Sequence, residues 1–447
     1  MEDLERAFMA LKAKQAPYTS LWDYYEGRQP LKYSSQRLKQ VFQSLDARFS
    51  ENWCSVVIDS MLDKIDLTSF VVANNEVVTN QLAQLWQSTE LDLDEGVTHK
   101  AAAVTGESFI IAWKDEGEET EAYYNDPRLM HVIYDEEHPR RMRCAAKWWE
   151  NVEDHLRMTL YYPDRIENYE SRKAANDVRV VDDGWKQLES MEDNWPTNPY
   201  GIIPVFHFRA ERRGVISVLS NVVEPQDAIN KLLNDMMVAA EFGAFRQRWV
   251  IANADSTAIR NAPYANWFFP GGDGEGQATQ VGEFGQTELS NFIAALDREA
   301  SVISTITRTP KHYFFGQGGD PSGEALMAME APLNAKSQRF IKLQVPVWRS
   351  LAAFLLQLEG TAVLESDINV VFEEPQTVQP RTKAEIRGLN VTAGIPLKTV
   401  LRREGWTTAD LEQMDEDKAE EQAAGARSLG AAMVEAQRLT TTNETQV

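Results

Sequence analysis

The sequence predicts an α+β fold, in which helical segments stand at both ends of the chain and a run of antiparallel strands lies between them. Three observations lead to it. Apolar residues recur at steps of three and four up to about Gly106, the period falls to two from Glu107 to about Phe208, and long helical stripes return beyond Gly214.

The first helical stretch runs from Met1 to Asp66, with Leu4, Phe8 and Leu11 on one face and Trp53, Val56, Val57 and Met61 on a later one. Tyr24 to Gly27 breaks the pattern and reads as a turn. A further helix is expected over about Glu76 to Gly106, carrying Leu82, Leu85 and Trp86, then Val97, Ala101 and Val104, and packing on the sheet that follows. Ser108 to Trp113 and Leu156 to Tyr162 are strand-like, and Asn198 to Gly201 is a turn before a last strand, Ile202 to Phe208. A boundary is expected near Gly214.

Ile229, Leu232, Leu233, Met236, Met237 and Ala240 then mark a long apolar helix face ending near Trp249, with Pro225 either in its first turn or kinking a longer helix. Asn253 to Gly285 is rich in Gly, Pro and Asn and reads as an excursion. A second helix follows, carrying Leu289, Phe292, Ile293, Leu296, Ala300 and Ile303 on one stripe and stopping before Pro310. Ser322 is an N-cap for a helix to about Leu358, which Pro332 and Pro346 should kink. Ile368 to Phe372 returns to a strand, Pro375 opens a final region with a helical hairpin around Ile395 to Met414, and the tail beyond Leu439 reads as disordered.

Composition bounds the function. The 447 residues are 43% hydrophobic and 25% charged, the balance of a folded globular chain. A net charge of -23 argues against an extended nucleic-acid-binding surface, which needs Lys and Arg to replace the counterions on phosphates. Any DNA contact must be sparse, local or repulsive. Cys54 and Cys144 are too few for a disulfide framework or a zinc site and read as small buried hydrophobes. Met1 to Lys14 lacks a signal-peptide pattern, and Val345 to Leu358, interrupted by Arg349, is too short for a membrane span.

No motif carries chemistry. GxxxxGK[ST], HExxH and GxSxG are absent, and the Gly316 to Asp320 run has neither the feeding strand nor the following lysine of a phosphate cradle. His99, His131, His155 and His207 fall on expected helices or strands and receive no role, while acidic groups such as Glu116 to Glu119 and Asp415 to Asp417 read as solvated faces. No catalytic residue, metal or cofactor is expected.

Gly319 to Lys336, reading Gly-Asp-Pro-Ser-Gly-Glu-Ala-Leu-Met-Ala-Met-Glu-Ala-Pro-Leu-Asn-Ala-Lys, resembles the segment before and inside the long wing helix of tailed-bacteriophage portal proteins, the head-to-tail connector family. Three further segments are similar to the same family: Tyr24 to Gly27 with Asn52 to Asp59, Asn125 to Arg128 with Val132 to Asp135, and Gly394 to Leu401. The resemblance implies a phage portal fold with helical stem and crown, an α/β wing and a small clip. Its map is wing 1–224, stem helix 225–249, clip 250–287, second stem helix 288–308, tunnel loop 309–321, long wing helix and strand 322–374, crown and tail 375–447.

The resemblance also implies a dodecameric ring at one capsid vertex of the virion, assembled in the host cytoplasm, through which double-stranded DNA is packaged and ejected. Implied partners are the terminase large subunit, the major capsid and scaffolding proteins and a head-completion or tail adaptor, with no membrane. Arg308, Lys311, His312, Gln317 and Asp320 would face DNA from the tunnel loop, and Arg298 from the stem. For Arg298, Arg308 and Lys311 an ordinary surface charge or a salt bridge between subunits is an equal reading. The alternatives are another connector ring component or an acidic metal-dependent nuclease.

Overall fold

The computed structural model describes residues 2–30, 32, 50–73, 75–114, 117–175, 178, 184–188, 197–244, 248–251, 280–283, 285, 288–314, 322–375, 380–404, 406, 410–411 and 413–420. Helices and antiparallel sheets alternate as an α+β chain. The residues divide into two compact units, one of Met1–Asp66 with Phe70–Val370, the other of Leu67–Ser69 with Val371–Val447.

Within the larger unit, α1 (Glu2–Tyr25) lies against a five-stranded sheet of β4 (Met130–Tyr134), β5 (Met142–Glu150), β6 (His155–Tyr161), β7 (Ile166–Ala174) and β8 (Trp185–Gln187), paired in that order. Strand alternation sends side chains to opposite faces, so one sheet serves two cores. Ile133, Cys144, Ala146, Met158 and Leu160 meet Leu4, Phe8 and Leu11 of α1. Each fully buried Leu or Phe there contributes about 1.5–3 kcal/mol by leaving water. Phe8 sits edge-on to Trp148 and Trp185, both at 5.9 Å between ring centres.

The intervening residues Met130, Val132 and Ala145 meet Phe109, Ile111 and Val205 instead. These belong to a second sheet, ordered β3-β2-β9, of β2 (Glu107–Lys114), β3 (Thr120–Asn125) and β9 (Val205–Arg209). The strand expected at Ile202 therefore starts at Val205 and returns beside the first strand of the region, with Ile111 opposite Val205.

A buried charge network joins the two sheets to α1. Lys14 Nζ lies 2.8 Å from Glu107 Oε1 and also donates to the Met130 carbonyl, while Tyr18 Oη donates to the same carboxylate oxygen at 2.7 Å. On its other side, Glu107 Oε2 is 3.0 Å from His207 Nε2, and Tyr134 Oη is 2.8 Å from His207 Nδ1. Burial alone pushes the Glu107 carboxyl up, but the His207 contact and the Lys14 ammonium overcome it and hold the group well below the usual carboxylate range. Burial lowers Lys14 and His207, with Glu107 opposing in both cases.

The helix expected over Glu76 to Gly106 is two helices, α3 (Glu76–Ser88) and α4 (Leu91–Thr105), following α2 (Trp53–Leu62). Glu90 between them takes a left-handed φ of 55°, and Thr89 Oγ1 closes the end of α3 by donating to the Leu85 carbonyl at 2.7 Å. The redirection lets Leu91 and Ala101 to Val104 become fully buried. Gly106 ends α4 at φ 97°, where a Cβ would stand 2.7 Å from the Ile216 nitrogen, so both conformation and space demand glycine.

The long helix α7 (Gly323–Leu358), numbered after α5 and α6 described below, begins at Ser322, whose side chain accepts from the Ala325 N–H. It runs continuously through Pro332 and Pro346. Both prolines are exposed, so water can satisfy the carbonyls that lose a donor. Its buried face places Trp348 against Phe208 at 4.7 Å and Trp86 at 5.3 Å, and the indole N–H donates to His99 Nε2 at 2.9 Å. His155 Nδ1 lies 2.6 Å from the Ser171 carbonyl, so all four strand and helix histidines have structural partners or buried surroundings. Cys54 and Cys144 are fully buried and free, their thiols pushed up to about 12 by burial.

β1 (Leu67–Val72) pairs with β12 (Ile368–Phe372), the latter with the bounds expected from sequence. In the smaller unit, α9 (Leu397–Arg403) and the helical residues 410–411 and 413–420 fall where the hairpin around Ile395 to Met414 was expected, and one more helix, α8 (Pro380–Thr392), precedes them. Pro380, lacking an N–H, suits a first helical position, Gly394 turns the chain at φ 92°, and Arg387 Nε bonds Glu404 at 3.0 Å. The tail beyond Leu439 lies outside the described residues.

Acid should weaken the larger unit. Burial, helped by the Lys14 charge, pushes His131 down to about 4, so between pH 6.5 and 4 the unfolded chain binds a proton that the folded chain refuses. His207 acts in the same direction, and the Glu107 contribution is complete above about 4.5 and is lost at lower pH. Urea midpoints are expected to fall as pH drops from 7 to 4.5, and His131→Gln to flatten that fall. A midpoint constant over this range would contradict the assignment.

Candidate functional site

Helix α5 (Val223–Ala244) and helix α6 (Ser290–Thr307) pack against each other. Pro225 falls in the first turn of α5, where the missing N–H costs no helical bond. The helix ends at Ala244 and not near Trp249, because Arg248–Ile251 is a strand, β10, paired antiparallel with β11 (Gln280–Glu283). This ladder brings together the two ends of the Gly/Pro-rich excursion, whose residues 252–279 lie outside the described residues. Gly282 stands opposite Trp249, and a Cβ there would come within 2.4 Å of the indole ring, so only glycine lets the ring cross the ladder.

The apolar stripes are covered only in part. Ile229, Leu296, Ala300 and Ile303 are buried, but Met237, Leu289 and Ile293 are exposed, Ile293 by 52%. The fully buried side of α5 is largely polar. Gln226 accepts from the Trp53 N–H at 2.9 Å and donates to the Glu51 carbonyl at 2.7 Å, and Asp227 takes Tyr24 Oη at 2.8 Å and Lys32 Nζ at 3.0 Å. The buried polar face locks α5 to α1 and α2, so the apolar stripe must face elsewhere.

Helix α6 stops because Arg308 adopts a left-handed φ of 60° and Pro310 follows. Thr307 Oγ1 closes the end, donating to the Ile303 carbonyl at 2.7 Å and accepting from the Thr309 N–H. Thr309 is fully buried, and Lys311–Tyr313 form one turn of 3-10 helix. The segment is then tied on three sides. Lys311 Nζ reaches Asp297 on α6 at 2.7 Å, the Phe314 ring lies 5.5 Å from Trp53 on α2, and Tyr313 Oη donates to Glu330 on α7 at 3.4 Å.

Four of the six expected DNA-facing residues fall among the described ones. Arg298 is exposed on α6, next to the Asp297 that holds Lys311. Arg308 is exposed at the end of α6, and Lys311 is engaged within its own chain. His312 is half-buried against Tyr313 at 4.7 Å, and Gln317 and Asp320 lie outside the described residues, as do Phe315 and Gly316 to Gly319. Arg308, Lys311 and His312 are neighbours in sequence. The structure also gathers cations that sequence reasoning passed over: Lys336, Arg339 and Lys342 of α7 line the same cavity as Arg308. Their spacing of three along one helix face was the available signal.

Among the described residues, no group of three His, Cys, Asp or Glu could hold a metal ion, and no helix is long and apolar enough to cross a membrane. Truncating Phe314→Ala removes the Trp53 contact of a half-buried ring, at a cost of about 1–2 kcal/mol by lost burial. Amides of residues 311–314 should then exchange faster while those of α4 keep their protection. Unchanged exchange in this segment would show that Phe314 does not anchor it.

Compared with known proteins, residues 11–424 match the family described as phage portal protein, SPP1 Gp6-like. No curated protein matches the chain.

Proposed function

The chain belongs to the phage portal proteins, a structural family, and on that premise we propose that its copies close into a dodecameric ring through which double-stranded DNA is packaged and ejected. In this reading residues 225–249 and 288–308 are the stem, 250–287 the clip, 309–321 the tunnel loop, 1–224 and 322–374 the wing, and 375–447 the crown and tail. The ring sits at a capsid vertex of the virion and docks the terminase large subunit and then a head-completion or tail adaptor.

The observation that carries the ring is the uncovered flank of the helix pair. Met237 on α5, Ile293 and Ile306 on α6 and Leu289 at the N-cap of α6 are exposed in the single chain, although α5 and α6 pack against each other. A neighbouring copy covers such residues in a closed ring, and the water they release drives association.

The charge suits a conduit. A wall that neutralised many phosphates would bind DNA tightly and slow it, whereas -23 per chain leaves only local cations to touch the backbone. At about 0.15 M salt, screening over about 8 Å confines this repulsion to residues facing the channel. Arg298 and Arg308 are the exposed cations for transient contact, with Lys311 and His312 holding the base of the loop. The energy for movement comes from the terminase motor.

Two outcomes are expected. Ile293→Asp places a charge on a 52% exposed position, so the monomer's melting temperature should stay within a few degrees of wild type while ring yield by mass photometry falls several-fold. Full ring yield from this variant would remove the helix flank from the subunit interface. The purified ring should also hydrolyse no ATP, and turnover that follows the protein through successive columns would overturn a purely structural role.

A further inference from the structure

The geometry points to an anion-binding pocket between the end of α6, the middle of α7 and residues 210–221, built to take a phosphate group. The cavity measures about 520 Å³ and is lined by Arg213, Arg308, Lys336, Arg339 and Lys342, with Glu211 as the one acidic side chain among the described residues that line it. Five cations against one carboxylate is an unusual local balance in a chain of net charge -23. Glu211 is already engaged, accepting from the Arg212 N–H at 2.9 Å.

Lys336 is the centre of the argument. Its Nζ is buried and has no hydrogen-bond partner among the described residues. A buried ammonium without a partner costs several kcal/mol unless an anion arrives. Burial, with the Arg308 charge beside it, lowers Lys336 to about 8, the shift expected of a cation waiting for a counter-charge.

The cations come from three places in the sequence. Lys336, Arg339 and Lys342 repeat at steps of three along α7, Arg308 is fixed by its left-handed turn after α6, and Arg213 follows the three-stranded sheet. The carbonyl end of α6 adds about half a negative charge nearby, which the five side chains outweigh. Guanidinium forks fit phosphate oxygens in pairs, and a phosphate group is much smaller than the cavity, so part of a nucleic-acid backbone also fits.

This inference stands on the pocket alone and does not depend on ring number or on the path of DNA. The phosphate has two possible sources, the backbone of a nucleic acid or free phosphate, and one experiment separates them. Inorganic pyrophosphate is titrated by calorimetry into the assembled protein and into Lys336→Met and Lys336→Arg, at low salt and from pH 7 to 9. The wild type should bind, more weakly as pH rises through about 8, because the anion holds the proton on Lys336. Lys336→Arg should bind without that pH dependence, and Lys336→Met should lose at least tenfold in affinity.

Lys336→Met also carries its own folding control. Removing an unpaired buried charge should leave its melting temperature equal to or above that of wild type without ligand, and pyrophosphate should raise the wild-type value only. Displacement of pyrophosphate by a short DNA duplex assigns the pocket to the nucleic-acid backbone, and binding that duplex does not displace assigns it to free phosphate. Absence of pyrophosphate binding by the wild type overturns the inference, as does equal binding by Lys336→Met. Loss of ring assembly in Lys336→Met without any phosphate binding overturns it too, in favour of a carboxylate from a neighbouring copy.

Discussion

The buried pairing of Glu107 with Lys14 and His207 is the contact on which the larger unit depends. It gathers Lys14 and Tyr18 from α1 and His207 from β9 around the one carboxylate of Glu107 on β2, with Tyr134 bonded to the far nitrogen of His207. Such a network adds little net stability over a well-packed apolar core, since desolvating the ions consumes most of the attraction. Its consequence is specificity. Any other register of β2 against β9, or any rotation of α1, strands a buried charge at a cost of several kcal/mol. The two hydrophobic cores on either face of the five-stranded sheet are thereby held in one alignment.

From that frame the rest of the unit is positioned by similar devices at lower cost. Gln226 and Asp227 fasten the first turns of α5 to α1 and α2, which turns the apolar stripe of α5 toward α6 and leaves part of the pair uncovered. Arg308 and Pro310 stop α6, and Asp297, Trp53 and Glu330 catch the residues that follow. The described start of the segment after α6 is thus a fixed base and not a free strand of chain. These ties mean that the residues just after α6 move with α2, α6 and α7 and not independently of them.

The same local charge logic separates the two classes of cation near that root. Lys311 is neutralised by Asp297 in its own chain, whereas the Lys336 Nζ is buried, has no hydrogen-bond partner among the described residues and sits among other cations. Residues of equal formal charge therefore have different uses. The paired one ties the segment after α6 to the helix, and the unpaired one shows its desolvation in a pKa lowered to about 8.

Much of the chain was legible from residue order alone. Ser322, the apolar steps through Phe340 and Leu351, and the strand at Ile368–Phe372 appear where local spacing and capping place them, because those signals are short-range and physical. The break at Thr89 and Glu90 was not legible, since both halves carry the same helical period and only packing of Leu91 and Ala101 to Val104 forces the turn. Ile293 read as buried because periodicity reports which residues share a face and not what covers that face. The Glu107 network and the Lys336 pocket joined residues 93 and about 120 positions apart, a distance over which one sequence has no local signal. By itself the sequence determined the α+β order, the family and the acidic balance, all properties of composition and short-range pattern. Which charges are paired, which apolar stripes stay open and where cations converge were decided only by tertiary structure, because burial and long-range proximity set the energy of a charge.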